Sequence, residues 1–158
     1  MTNPEFKDLE PGEEVVPDES KPSELLWRQI CDHSLDNGKP GMDSFGPQKA
    51  DKRRPSFSRS SLVTAQESRD WHNNNAQSRS QGVWACSVEE IITAGTRAID
   101  DSQTPLEADE VRAPGHAFVD YRHYGKGGLK TVKGLLLKAA LAREEIATVD
   151  NPPAQGGS

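Results

Sequence analysis

The sequence predicts a small α+β domain in which a sheet of short strands is covered by helices. Three short segments rich in β-branched and aromatic residues, near 25–30, 83–86 and 116–120, predict the strands. Three further segments have the apolar spacing or the N-terminal capping residues of helices. A chain of 158 residues with 33% hydrophobic residues fits one domain. We expect that domain to occupy residues 22–147.

Each strand segment has its own signature. The first, "SELLWRQIC" at residues 23–31, is a short apolar run that would bury Leu26 and Ile30 in either a strand or a helix, and we take it as a strand. The second, "GVWAC" at residues 82–86, is β-branched and aromatic, which favours a buried strand. The third, "HAFVDY" at residues 116–121, is a short apolar run of the same kind.

The helix segments are marked by caps and by periodicity. Two pairs have the spacing of a capping box, in which a hydroxyl and a glutamate three residues later each bond the other's backbone amide: Thr64 with Glu67, and Ser87 with Glu90. We expect the helix after Ser87 to carry one apolar face as far as Ile99. A third helix is predicted over residues 129–147, where an apolar stripe lies between basic residues.

Both ends of the chain are expected to be disordered. Residues 1–21 hold seven acidic and two basic residues, so they supply −5 of the formal net charge of −6. Such an acidic, aromatic-poor segment buries too little apolar surface to offset the entropy of ordering it. Residues 148–158, with the ending "DNPPAQGGS", have a similarly polar composition.

Composition argues against a membrane protein and against a metal site. No run of about 18 apolar residues is present, and the N-terminus is acidic where a secretory signal would be basic. We therefore expect a cytoplasmic protein with no membrane association. Cys31 and Cys86 lack the spacing of a zinc or redox pair and are predicted to be buried thiols. The absence of HxxxH, HExxH and CxxC motifs predicts no metal site.

Polar residues in and after the first strand segment need an explanation. Arg28 lies inside an otherwise apolar run, where a buried arginine must pair, stack or bind an anion. Ser58, Arg59 and Glu67 follow within "FSRSSLVTAQES". An ion pair would explain Arg28, and the capping box would explain Glu67, so structural and functional interpretations both stand for these two residues.

The segments "LLWRQ" and "SFSRSSLVTAQES" resemble the arginine, serine and "TA..E" elements of the RES-type relatives of ADP-ribosyltransferases. This resemblance implies a compact mixed α/β fold and a small enzyme, such as a toxin or effector, that cleaves NAD or transfers a group from it. It also implies that Arg28, Ser58 and Arg59 bind the cofactor NAD. By the same resemblance, Glu67 and Arg28 take part in catalysis, with Glu67 stabilising the charge that develops at the ribose.

Histidine supplies further catalytic candidates, because its side chain is the one best suited to proton transfer near neutral pH. His116 is the principal candidate and His72 is another. No acid–histidine–nucleophile spacing frames either residue in the sequence. A structural histidine is therefore the alternative interpretation for both.

The alternative to an enzyme is a non-catalytic module that binds a protein partner. Its charged tails and the basic loop "QKADKRRP" at residues 48–55 would make the contacts. This loop has a single aromatic residue beside it, and the chain beyond the acidic tail is nearly neutral. The composition therefore does not favour nucleic acid as the partner.

Overall fold

The computed structural model describes residues 5–48 and 52–152, and in this part of the chain six strands form one antiparallel sheet. The described residues contain eight strands in all, namely β1 (Glu14–Val15), β2 (Leu25–Cys31), β3 (Leu35–Asp36), β4 (Lys39–Pro40), β5 (Ser56–Arg59), β6 (Ser80–Ser87), β7 (Ala98–Asp100) and β8 (His116–Val119). The order in the sheet is β1, β7, β8, β5, β2, β6, and β3 pairs with β4 separately. The predicted α+β class is confirmed.

Three helices accompany these strands, namely α1 (Ala65–Asn75), α2 (Val88–Ala94) and α3 (Lys126–Arg143). Both predicted capping boxes are present. At the start of α1, the Glu67 amide donates to Thr64 Oγ1 at 3.0 Å, and the Thr64 amide donates to Glu67 Oε1 at 2.9 Å. These reciprocal bonds satisfy backbone amides that the first turn of a helix leaves without a partner.

Helices cover both faces of the sheet. On one face, Ser68 of α1 bonds to side chains of two adjacent strands, Gln29 of β2 and Ser58 of β5. On the other face, the Cys86 thiol of β6 donates to the Leu136 carbonyl of α3. The main apolar core includes Leu136 and lies under α2 and α3. Its members include Leu26, Ile30, Phe57, Trp84, Ile91 and Tyr121.

The second helix is shorter than the sequence predicts. Gly95 adopts a left-handed conformation with φ of 104° and its amide bonds back to the last turn, which ends α2 at Ala94. The chain then returns to the sheet as β7. The prediction that Ala98 and Ile99 continue the helical face is therefore wrong, although both residues are buried as expected of apolar side chains.

Residues before the predicted domain start at residue 22 also contact the sheet. β1 pairs with β7, and the amide of Val16, which is 1% exposed, donates to the Ala98 carbonyl at 2.9 Å. Two acidic residues that precede β1 have cationic partners: Glu10 pairs with Arg54, and Glu13 pairs with Arg122. Buried Val16 and these two ion pairs attach to the sheet and its loops a segment that the sequence predicts to be a solvated tail. Residues 1–4 lie outside the described residues.

Residues beyond the predicted boundary at residue 147 also contact the domain. Arg69 of α1 donates to Thr148 Oγ1 at 2.9 Å, and the Val149 amide donates to Gln66 Oε1 at 2.8 Å. Asp150 forms an ion pair with Arg79 at 2.8 Å. This segment therefore packs on α1 and on the loop after it. Residues 153–158 lie outside the described residues.

Where the structure describes it, the basic loop is engaged within the chain. Arg53 donates to the Tyr124 carbonyl at 2.8 Å, and Arg54 pairs with Glu10 at 3.2 Å. Lys49, which belongs to the same predicted loop, lies outside the described residues. Over the ranges given above, no helix combines the length and apolarity needed to cross a membrane. The same ranges contain no group of three or more His, Cys, Asp or Glu side chains that could hold a metal ion.

Candidate functional site

A pocket of about 310 Å³ opens between α1 and the face of the sheet formed by β2, β5 and β8. Two tryptophans, a phenylalanine and small apolar residues form much of its wall, and five polar side chains accompany the two histidines. The lining residues are Trp27, Arg28, Gln29, Ser56, Phe57, Ser58, Ser68, Trp71, His72, Ala76, Val111, Ala113 and His116. A concave, largely apolar pocket with a few convergent polar groups is the usual form of a small-molecule site.

Three of the five predicted site residues line this pocket, namely Arg28, Ser58 and His116. The register explains two of them, because Ser58 of β5 pairs directly with His116 of β8. Arg59 and Glu67 are not among the lining residues. The structure therefore brings together part of the predicted set and separates the rest.

Arg28 contributes to the pocket wall, but its guanidinium donates hydrogen bonds to backbone carbonyls of other segments. Its Nε donates to the Ser44 carbonyl and its Nη1 to the Ser56 carbonyl, both at 2.8 Å. The guanidinium carbon also lies 5.3 Å from the ring centroid of Phe57. These contacts explain a charged residue in an apolar strand and fix the start of β5, where Ser56 lies.

Arg59 belongs to an ion-pair cluster that joins three segments of the sheet. It pairs with Glu24 at 2.9 Å and with Asp100 at 2.8 Å. Burial alone would raise the pKa of Glu24, but hydrogen bonds from Arg59 and Ser61 outweigh burial and hold that pKa below its ordinary value. The pKa of Asp100 is likewise lowered, by bonds from Ser102 and Arg59 that outweigh its burial. This geometry gives Arg59 a structural role.

Glu67 is exposed, and the two capping bonds described above are its contacts with Thr64. The hydrogen bond from the Thr64 backbone amide lowers the pKa of the Glu67 carboxyl, so the group is ionised at neutral pH. A carboxylate at a helix N-terminus also interacts favourably with the helix dipole. The position of Glu67 is therefore accounted for by α1.

His116 lies at the centre of an arrangement that the sequence does not reveal. Its Nε2 is 3.0 Å from Ser56 Oγ, and its Nδ1 is 2.6 Å from Asp101 Oδ1. Asp100 pairs with Ala117 between β7 and β8, so the next residue along the chain, Asp101, lies beside His116. Antiparallel pairing of β5 with β8 brings Ser56 to the same place.

A serine hydroxyl, an imidazole and a carboxylate in this order have the arrangement that nucleophilic catalysis uses for a nucleophile, its base and an orienting acid. When Nδ1–H of His116 donates to Asp101, Nε2 carries the lone pair and can accept the Ser56 hydroxyl proton. Ser56 is exposed, whereas His116 and Asp101 have side chains that are 21% and 16% exposed. The nucleophile therefore faces solvent and the pocket, and the base and acid are held behind it.

A second depression adjoins the first along Ser56 and His116, with a volume of about 570 Å³. Lys52, Arg54 and Arg112 contribute positive charge to it, and Asp101, Glu107 and Glu110 contribute negative charge. Arg112 donates to the carbonyls of Ser102 and Thr104 at 2.8 and 2.7 Å, which orders the loop that carries Asp101. The serine hydroxyl thus lies on the boundary between a mainly apolar pocket and a more charged depression.

His72, the other candidate histidine, also lines the first pocket. Its Nε2 lies 2.7 Å from the Ser78 carbonyl and 3.5 Å from the Cys31 sulfur. Burial lowers the pKa of His72 and raises the pKa of Cys31, so both are neutral at pH 7. A neutral imidazole that donates to a carbonyl has a structural explanation, because it ties the end of α1 to the loop that follows.

Sequence reasoning missed Ser56 and Asp101. Asp101 is 15 positions from His116, and Ser56 is 60 positions from it, so the three residues meet through sheet pairing and not through a local motif. A signal for Ser56 was present in the alternation of β5, since residues two apart point to one face of a strand. Ser56 therefore shares the face of Ser58, which the sequence did identify.

No protein-family model, curated protein or solved structure matches this chain. The resemblance to RES-type relatives of ADP-ribosyltransferases therefore stays a hypothesis from the sequence.

Proposed function

We propose that the protein is a serine-dependent hydrolase that cleaves carboxylic esters. The observation that carries this proposal is the continuous contact Ser56 Oγ, His116 Nε2, His116 Nδ1 and Asp101 Oδ1, with distances of 3.0 and 2.6 Å. A nucleophile and its base within hydrogen-bond reach, with the base oriented by a third group, are the requirements for nucleophilic catalysis.

In this mechanism Ser56 Oγ attacks the ester carbonyl carbon while its proton passes to His116 Nε2. The tetrahedral intermediate then loses the alcohol as the carbon–oxygen bond breaks, and His116 returns the proton to the leaving oxygen. A water molecule attacks the acyl-enzyme, His116 takes a water proton, and the carboxylic acid leaves as Ser56 regains its proton. Asp101 keeps the imidazole in the required tautomer and stabilises its positive form.

Cations near the serine support the same chemistry. Lys52 and Arg54 line the depression that contains Ser56 and His116, and the acidic residues Glu107 and Glu110 line it as well. A fixed positive charge near developing negative charge lowers the barrier of acyl transfer.

The test is hydrolysis of p-nitrophenyl acetate and butyrate by the wild type and by Ser56→Ala and His116→Ala. We expect each substitution to lower kcat/KM by about 10²-fold or more, because general acid–base catalysis contributes roughly that much. Ser78→Ala is the matched control, since Ser78 is an exposed serine outside the pocket lining. Unchanged melting temperatures would show that the losses are catalytic.

A fluorophosphonate probe provides a second, direct test. Ser56 Oγ should attack phosphorus and expel fluoride, which leaves a covalent adduct on the peptide that contains Ser56. Mass spectrometry of the digested protein locates that adduct, and Ser56→Ala should abolish it. A wild-type protein that neither hydrolyses the esters nor takes up the probe would contradict the proposal.

Processing of NAD is the second candidate for the same pocket. It is supported by the common location of Arg28, Ser58 and His116 beside Trp27 and Trp71, whose rings offer faces for a planar nicotinamide. Against it, no carboxylate is among the described residues that line the pocket. NAD incubated with the wild type should release nicotinamide if this candidate is right, and His116→Ala should release less. With neither ester hydrolysis nor nicotinamide release, the protein-binding module remains as the hypothesis.

A further inference from the structure

The floor of the pocket contains a directional chain of hydrogen bonds that ends at Ser58. Ser80 Oγ donates to Gln29 Oε1 at 2.7 Å, and Gln29 Nε2 donates to Ser68 Oγ at 2.9 Å. Ser68 Oγ in turn donates to Ser58 Oγ at 3.1 Å. Gln29 and Ser68 each accept one of these hydrogen bonds and donate the next, so the chain points toward the pocket.

Ser58 is the last member, and the structure gives its hydroxyl oxygen the role of acceptor. Its residue is 6% exposed, and the hydrogen bond that the structure gives its side chain within residues 5–48 and 52–152 is the one from Ser68, in which Ser58 Oγ accepts. Buried hydroxyl groups are rarely left without a partner for the proton they carry. Since Ser58 lines the pocket, a ligand there is the group that can accept this proton.

The position of Ser58 relative to the nucleophile is fixed by the strand. Ser56 and Ser58 are two residues apart in β5, so their side chains leave the same face roughly 7 Å apart. His116, the base that contacts Ser56, is the register partner of Ser58. A ligand whose carbonyl carbon lies at Ser56 therefore extends its acyl group past Ser58.

We propose that Ser58 is a specificity-determining donor that recognises a second carbonyl oxygen in the acyl group of the substrate. The substrate class is then uncharged esters of short carboxylic acids that bear a ketone or amide about four bonds from the ester carbonyl. The tryptophans and small apolar residues of the wall favour the intervening methylene groups. This proposal rests on the hydrolase function proposed above, which supplies Ser56 as the nucleophile.

Two esters of equal chain length test it. p-Nitrophenyl 5-oxohexanoate carries the second carbonyl, and p-nitrophenyl hexanoate lacks it. We expect the wild type to prefer the keto ester in kcat/KM by roughly 2- to 12-fold, which is the worth of one neutral hydrogen bond. Ser58→Ala should bring the ratio of the two kcat/KM values close to one, and Ser58→Thr, which keeps a hydroxyl, should restore the preference.

The ratio separates recognition from a structural role. If Ser58 only supports the fold, Ser58→Ala changes both esters alike and the preference persists, which overturns the proposal. A wild type that hydrolyses the two esters equally well also overturns it while leaving the hydrolase proposal intact. Ser78→Ala, with its exposed side chain, should retain the wild-type ratio.

Binding measurements keep the two proposals distinguishable if no hydrolysis is observed. In the Ser56→Ala protein, calorimetric titration gives Kd for each intact ester without turnover. We expect tighter binding of the keto ester, and we expect the difference to disappear in Ser56→Ala combined with Ser58→Ala. Equal Kd values for the two esters would overturn the role of Ser58, whereas a missing ester hydrolysis alone would overturn only the hydrolase.

Discussion

At the scale of single residues, the pocket depends on one imidazole whose two nitrogens have different partners. Asp101 does not reach the substrate in the proposed mechanism and acts through His116, at 2.6 Å from Nδ1. It is therefore a positioning residue. Its carboxylate accepts a hydrogen bond from Nδ1–H, and this choice of tautomer leaves the lone pair on the nitrogen that faces Ser56.

Asp101→Asn tests this role. Asparagine has nearly the same shape, but its amide can donate to Nδ1 and so favours the tautomer with the proton on Nε2. We expect kcat/KM for p-nitrophenyl butyrate to fall by about 10²- to 10⁴-fold with little change in melting temperature. The pH profile of kcat/KM should also change, because the positive form of His116 loses its counter-charge. Full activity in Asp101→Asn would contradict the assigned role.

The residue scale also shows what the sequence can and cannot predict. Both capping boxes follow from a spacing of three residues, so Thr64 with Glu67 could be identified without a structure. The contact between Ser56 and His116 depends on which strands become neighbours, and no local pattern encodes that choice. The partners of the Arg28 guanidinium could not be predicted for the same reason, since the carbonyls of Ser44 and Ser56 lie in other segments of the chain.

At the scale of secondary-structure elements, two substitutions at the start of α1 distinguish a capping role of Glu67 from a catalytic role. Glu67→Gln should leave the melting temperature and ester hydrolysis nearly unchanged, because glutamine also serves at this position of the box. Thr64→Ala removes the cap itself and should cost about 1 kcal/mol, or roughly 2–4 °C in melting temperature. Thermal unfolding and p-nitrophenyl butyrate assays of both variants check this. A large loss of activity in Glu67→Gln would return Glu67 to the catalytic candidates.

Acid stability should report the cluster that joins Glu24, Arg59 and Asp100. The folded pKa values of both carboxyls lie below their ordinary values, so their stabilisation is present above about pH 4.5 and is lost as pH falls through the folded values. We expect the melting temperature to drop steeply below about pH 4 in the wild type. Arg59→Met should flatten that drop while lowering the melting temperature at pH 7. Arg54→Met, which removes a more exposed ion pair, is the control and should keep the acid transition.

At the scale of the whole molecule, the sheet is completed by segments that composition places outside the domain. β1 forms one edge of the six-stranded sheet, next to β7. The acidic residues around it suggest a solvated tail, because composition does not reveal that Glu13 meets Arg122. The α+β fold class and the three main strand segments were predictable from runs of β-branched and aromatic residues. The extent of the domain was not, because it depends on contacts between residues far apart in the chain.

A matched pair of valines tests whether the N-terminal segment belongs to the core. Val16 is 1% exposed, whereas the adjacent Val15 is 44% exposed. Val16→Ala should lower the free energy of unfolding by about 2 kcal/mol, since two buried carbon groups are lost and a cavity is left. Val15→Ala should change it by less than about 0.5 kcal/mol. Urea unfolding of both variants gives these values, and equal effects would show that residue 16 does not pack as described.

The two buried cysteines allow opening of the structure to be followed by chemical labelling of the native protein. Cys31 lies at the end of β2, where the register with β6 becomes irregular, while Cys86 lies beneath α3 with no exposed surface. Burial raises the pKa of each thiol, so in the native protein neither supplies the thiolate that reacts with an alkylating reagent. Cys31 should therefore be labelled by local fraying of a strand end, and Cys86 by separation of α3 from the sheet. The ratio of the two labelling rates then distinguishes partial opening from complete unfolding without any introduced probe.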